Sequence, residues 1–178
     1  AGFVYFALPT LHTFTESKHP IGYADNGDEV HVHSDFVVYL DGTEYDLTDD
    51  KYQTEGDQML HKSIHLHDNV DEVIHRHDNG ITLADFFESL GFILSDSSIT
   101  DDTGNVFETG ENKELMVFVN DERVTDPASY VNEEEDKILV YFGDKDDSVK
   151  ITELLLSITD DSCYYSGTCP ERGVAPAE

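Results

Sequence analysis

From Glu29 to Leu47 the sequence reads EVHVHSDFVVYLDGTEYDL, alternating in side-chain character around the dipeptide Asp41-Gly42. A period of two belongs to an extended chain, because a helix built on it would scatter its apolar groups around the axis. The pattern predicts strands over 30–40 and 43–47 joined by a tight turn at Asp41-Gly42. ELMVFVNDERVTD repeats the theme, entering a turn at Asn120-Asp121 and leaving through Val124, and DKILVYFGD predicts one more buried strand that ends at Gly143.

Between the hairpins lies GITLADFFESLGF, the clearest helix in the chain. Thr82 is placed to cap it and Asp85 stands three residues later, as in a capping box. Leu83, Phe86, Phe87 and Leu90 mark one face, and Gly91 ends it. A second helix is expected near 148–158, from the spacing of Ile151, Leu154, Leu155 and Ile158, with Ser148 as its cap. Hairpin, helix and further strands, in that order, predict an α+β domain of β-grasp (ubiquitin-like) type. It would have a mixed sheet, one packed helix, an added histidine-rich hairpin, and a C-terminal helix with a disulfide loop. Three units are expected: an apolar strand or stalk over 1–28, the histidine-rich domain over 29–146, and a helix with a pinned tail over 147–178.

Ten Lys plus Arg stand against 39 Asp plus Glu, a net charge of -29 spread along the chain. Such a field repels nucleic acid and anionic membrane surfaces and attracts cations. The segment DSSITDDTGNVFE lacks the alternating ligand spacing of an EF-hand loop, so calcium is expected only as a weak surface ligand. No H-E-x-x-H, G-x-S-x-G, phosphate-binding glycine loop or cysteine nucleophile is present, so a binding protein is expected and not an enzyme.

Histidine is the residue type that points to a function. His31, His33 and Asp35 share one face of the first strand by parity. His61, His65 and His67 share a face of the next segment, with Ile64 and Leu66 opposite, and His75 and His77 share a face after the loop. If His67 pairs with His75 and His65 with His77, four imidazoles stand on one surface with directly opposed Cβ atoms about 4.5–5.5 Å apart, near enough for two rings to share an ion. Asp35, Asp68 and Asp78 are the carboxylates placed to ligate or to hold a second ring nitrogen. Imidazole donors without thiolate favour Cu(II), Zn(II) or Ni(II), and Cu(II) leads on the affinity order, so copper is expected, with zinc the second choice. His12 and His19 lie in an irregular stretch and add little to this expectation.

Cys163 and Cys169, in CYYSGTC, predict a small disulfide loop and a location outside the cytoplasm. The first residue is Ala1 and not Met, which predicts a mature chain from which a targeting segment was removed. The opening AGFVYFALP stops at Pro9, short of the roughly 20 residues that span a bilayer, so membrane contact would require an anchor removed from or missing before Ala1. Phe3, Val4, Tyr5, Phe6, Ala7 and Leu8 could instead donate a strand to an open sheet edge of another copy. The alternative function is therefore a structural subunit of an extracellular filament or sheath, a homopolymer with metal ions bridging its copies.

Two resemblances bear on these expectations. FVNDERVTDPASYVNEEEDKILVYFG, within residues 30–143, resembles the closing half of the ubiquitin-like sulfur carriers, which implies the β-grasp fold. The sulfur-carrier activity does not follow, because those carriers end in Gly-Gly and this chain continues past Gly143. HVH-x-DF at His31–Phe36, HLH with VIH-x-H at His65–His77, GITL-x-DFF-x-SLG at Gly80–Gly91 and the C-x-YS-x-x-CPERG ending at Cys163–Gly173 resemble secreted or membrane-anchored histidine-rich proteins of archaea and bacteria. That resemblance implies location and architecture, and carries no activity with it.

Overall fold

The alternation around Asp41-Gly42 becomes a hairpin in the computed structural model, which describes residues 29–54, 60–173 and 175. β1 (Val32–Leu40) turns through Asp41 and Gly42 into the short β2 (Thr43–Glu44). Both turn residues have positive φ, 50° and 94°, the pair of left-handed conformations whose twist matches the flanking strands. The chain continues through β3 (Ile64–His65), β4 (Val73–Arg76), helix α1 (Leu83–Ser89) and the short strands β5 (Ile93–Leu94), β6 (Ser98–Thr100) and β7 (Val106–Glu108). It ends with β8 (Lys113–Val119), β9 (Glu122–Val124), β10 (Lys137–Asp144), α2 (Ser148–Ser157) and the five-residue α3 (Ser162–Ser166).

Seven strands form one mixed sheet in the order β3-β4-β1-β10-β8-β9, with β2 also paired to β1. β4 takes the first half of one edge of β1, from Val32 to Asp35, and β2 takes its end at Tyr39 and Leu40. The other edge of β1 pairs in parallel with β10, from Asp35 beside Lys137 to Leu40 beside Phe142. β5, β6 and β7 make a separate three-stranded antiparallel sheet.

Strand parity divides the side chains between two cores. Phe36, Val38 and Leu40 of β1, Ile138, Val140 and Phe142 of β10, and Leu115, Val117 and Val119 of β8 meet Leu83, Phe86 and Phe87 of α1. Phe36 and Phe86 cross edge to face at 5.2 Å between centroids, and burying each such ring stabilises the fold by about 1.5–3 kcal/mol. Met116, Leu139 and Tyr141 point the other way, onto Leu154 of α2 and Ile158 just past its end. With both faces covered, β10 is buried nearly end to end, the pattern of a central strand.

Both helices form where the sequence places them. Thr82 Oγ1 accepts from Asp85 N while Asp85 Oδ2 accepts from Thr82 N at 2.7 Å, a reciprocal capping box. Gly91, at φ 83°, follows the last turn of α1. At α2 the expected cap is corrected: Ser148 is the first helical residue, and the Asp147 carboxylate accepts from Lys150 N at 3.1 Å. A charged acceptor there also favours the positive end of the helix dipole. Cys163 and Cys169 form the expected disulfide. Among the described residues no helix is long and apolar enough to cross a membrane. The strand-donor residues Phe3 to Leu8, together with His12 and His19, lie outside the described residues.

The acidic segment before β7 is closed by its own hydrogen bonds. Buried Asp101 accepts from Thr103 N and Oγ1, from Asn105 N and Nδ2, and from Tyr45 OH at 2.8 Å. Burial works to raise its carboxyl, but the bonds from Asn105, Thr103 and Tyr45 win and hold it far below its ordinary value near 3.8. Since the folded-state value lies below the unfolded one, this group adds stability above about pH 4 and loses it as pH falls toward the folded-state value. Asp101→Asn is expected to lower stability at neutral pH by about 1–3 kcal/mol and to flatten the acid limb. Urea midpoints at neutral and acid pH check both, and an unchanged acid limb contradicts the assignment.

Candidate metal centre

Strand pairing assembles the histidines. β1 carries His33 on the face turned away from α1, and antiparallel pairing sets it directly opposite His75 of β4. His31 stands just before β1 and His77 just after β4, with ring centroids 4.7 Å apart. The His77 amide extends the next ladder by donating to Ser63 O at 2.8 Å. One ring nitrogen from each of His31, His33 and His75 lies within 4.8 Å of the others, a group that could hold a metal ion. A tetrahedral ion holding nitrogens at about 2.0–2.1 Å draws them to roughly 3.4 Å of one another, so closing the group takes less than about 1.5 Å of movement. His31 is exposed and its ring lies 4.5 Å from that of His33; His33 and His75, 2% and 0% exposed, are buried in the sheet.

Across the sheet the row continues. His65 pairs with His75 in register, and the ring of His67, just past β3, sits 3.9 Å from that of His75. His65 also stacks on His77 at 5.0 Å. The expected pairing of His67 with His75 and of His65 with His77 is thus corrected by two residues. Asp68 and Asn69 take positive φ, 61° and 56°, so the chain reverses immediately after His67. Residues 70–72 then lead into β4, and Val70 N donates back to His67 O at 3.1 Å. A shift of two preserves parity, and His31, His33, His65, His67, His75 and His77 still share one surface.

His61 joins through its backbone. Its carbonyl lies 3.1 Å from His65 Nδ1, while its ring accepts from Ser63 N at 3.2 Å. Burial pushes the His61 imidazole down, and Asp85 in the first turn of α1 pulls it partly back. Of the expected carboxylate neighbours, Asp68 does reach an imidazole, with Oδ2 3.0 Å from His67 Nδ1. Asp78 instead accepts from Asn79 N at 2.8 Å.

The structure gives Asp35 a different task. Fully buried, its carboxylate accepts from Thr159 Oγ1 and Asp161 N, each at 2.7 Å, from Ser162 N and from Ser162 Oγ. It therefore docks the start of α3 beside the histidines and is not among the three grouped ligand residues.

Docking α3 brings in residues that motif reading missed. The Tyr165 ring lies 4.9 Å from His75, 5.8 Å from His33 and 6.1 Å from His67. Ser166 Oγ is 2.8 Å from His33 Nδ1 and donates to Glu134 Oε1. Glu134 Oε2 also accepts from the His33 amide at 3.3 Å. Burial acts to raise Glu134, and the bonds from His33 and Ser166 hold it below the usual range. The disulfide-closed sequence CYYSGTC was the available signal, since it restrains Tyr165 and Ser166 within six residues.

Arg76, between His75 and His77 in sequence, points to the opposite face. Its guanidinium donates to the carbonyls of Asn132 and Asp78, so no fixed cation from it confronts an incoming metal. The donors on the histidine surface are imidazoles with carboxylates behind them, a set suited to late first-row divalent metals. No family model, no curated protein and no solved structure matches the chain.

Proposed function

We propose that this chain is a metal-binding protein of the cell surface or extracellular space, taking Cu(II) ahead of zinc on the histidine surface. The observation that carries the reading is the convergence of His31, His33 and His75 ligand nitrogens within 4.8 Å. Nitrogen donors without thiolate favour copper on the affinity order, and the Cys163–Cys169 disulfide supports an oxidising setting. We read the fold as a β-grasp, supported by α1 packed on one face of a mixed sheet with β1 and β10 parallel. His65, His67 and His77 surround the triad and raise the local density of imidazole.

Copper and zinc titrations of untagged protein, prepared without chelators or metal resins, test the reading. Tight uptake of copper is expected, with zinc weaker. Metal binding needs neutral imidazole, so affinity should fall as pH drops through the histidine range near about 6.5. Affinity independent of pH across that range would point to carboxylate ligands in place of the triad.

A further inference from the structure

The two buried ligands of the triad each have their Nδ1 engaged by a chain of groups that ends in a carboxylate. On one side Ser166 Oγ donates to Glu134 Oε1 and lies 2.8 Å from His33 Nδ1. A hydroxyl has one proton to give. With that proton directed at Glu134, the Ser166 oxygen can only accept from His33, so His33 carries its proton on Nδ1 and its lone pair on Nε2. On the other side Asp68 Oδ2 lies 3.0 Å from His67 Nδ1, and His67 Nε2 lies 3.1 Å from His75 Nδ1. An ionised carboxylate only accepts, so His67 gives Asp68 its Nδ1 proton. The bare Nε2 of neutral His67 then accepts from His75 Nδ1, and His75 too has its lone pair on Nε2.

We propose that Glu134 with Ser166, and Asp68 with His67, are positioning residues that set His33 and His75 in the same tautomer, each presenting a bare Nε2 to the metal. Only the purpose of this arrangement rests on the metal-binding reading; the tautomers themselves do not. The two chains come from different places, the turn after β3 and the loop before β10 with α3, and converge on partners paired across β1 and β4. Such outer partners fix ring orientation and raise ligand basicity, and losing one typically costs 10–100-fold in metal affinity. His67 on this account holds a ligand in place and is not itself one.

Long-range nitrogen–proton correlation spectra of the metal-free full chain, above the histidine range of pH, read the tautomers directly. Both His33 and His75 are expected as Nδ1–H forms. Ser166→Ala should release His33 alone and Asp68→Gly, which suits the left-handed backbone there, should release His75 alone. Each should lower Cu(II) affinity by roughly 10–100-fold with the spectrum otherwise folded. Ser166→Thr keeps the hydroxyl and should restore native affinity. An Nε2–H form of either histidine in the native chain overturns the assignment, as does full copper affinity in both variants. A native chain with both Nδ1–H forms that takes up no copper would instead refute the proposed function and leave the positioning chains standing.

Discussion

Replacing His33 and His75 together by glutamine should abolish tight Cu(II) binding, with a loss beyond the roughly 10–100-fold that removing an outer partner costs. These two are the triad members held rigidly, buried and paired in register between β1 and β4. His31 is the exposed member, and without its two buried partners the grouped ring nitrogens are reduced to one. Calorimetric titration of the double variant beside the native chain decides the matter. The matched control is His65→Gln, whose residue pairs with His75 but stands outside the triad; it should lose much less. Equal losses in both would disperse the site over the whole surface.

The second large effect is on stability. Asp35→Ala removes the acceptor for Thr159 Oγ1, Asp161 N, Ser162 N and Ser162 Oγ at a position with no exposure. Each buried donor left unmade costs about 1–3 kcal/mol, so a loss of about 3 kcal/mol or more is expected even if water reaches one or two of them. The first consequence should be local detachment of α3, because its docking depends on this carboxylate while the apolar core of the sheet does not. Limited proteolysis within 159–172 and urea unfolding read the two parts separately. A variant with native protease resistance and an unchanged midpoint would show that α3 is held mainly by its other contacts, among them Ser166 with Glu134 and Arg172 with Asp160 and Asp161.

How much of this was legible in the sequence follows from the range of each interaction. Parity is a local property, so the common face of His31, His33, His65, His67, His75 and His77 could be read directly. The pairing of His65 with His75 could not, because it depends on where the chain reverses, and that was decided by left-handed Asp68 and Asn69. The capping box of α1 spans three residues and was legible; the choice of Asp147 over Ser148 at α2 turned on one residue of offset. Asp35 read as a ligand neighbour because it shares parity with His33. Its actual partners lie 124 to 127 positions away, beyond any periodicity. Glu134 and Ser166 escaped for the same reason, reaching His33 across 101 and 133 positions.

Those separations also differ in the loops they close. Contacts between β3 and β4, or across the turn at Asp41-Gly42, close short loops, whereas joining Ser166 to His33 closes one of 133 residues. Closure entropy grows with loop length, and distant contacts are slow to form. On that ground β1 and β4 are expected to pair before α3 docks, because His33 and His75 are nearer in sequence than His33 and Ser166. Ser166 and Glu134 would then add their hold on His33 last, to a surface that the strands had already assembled.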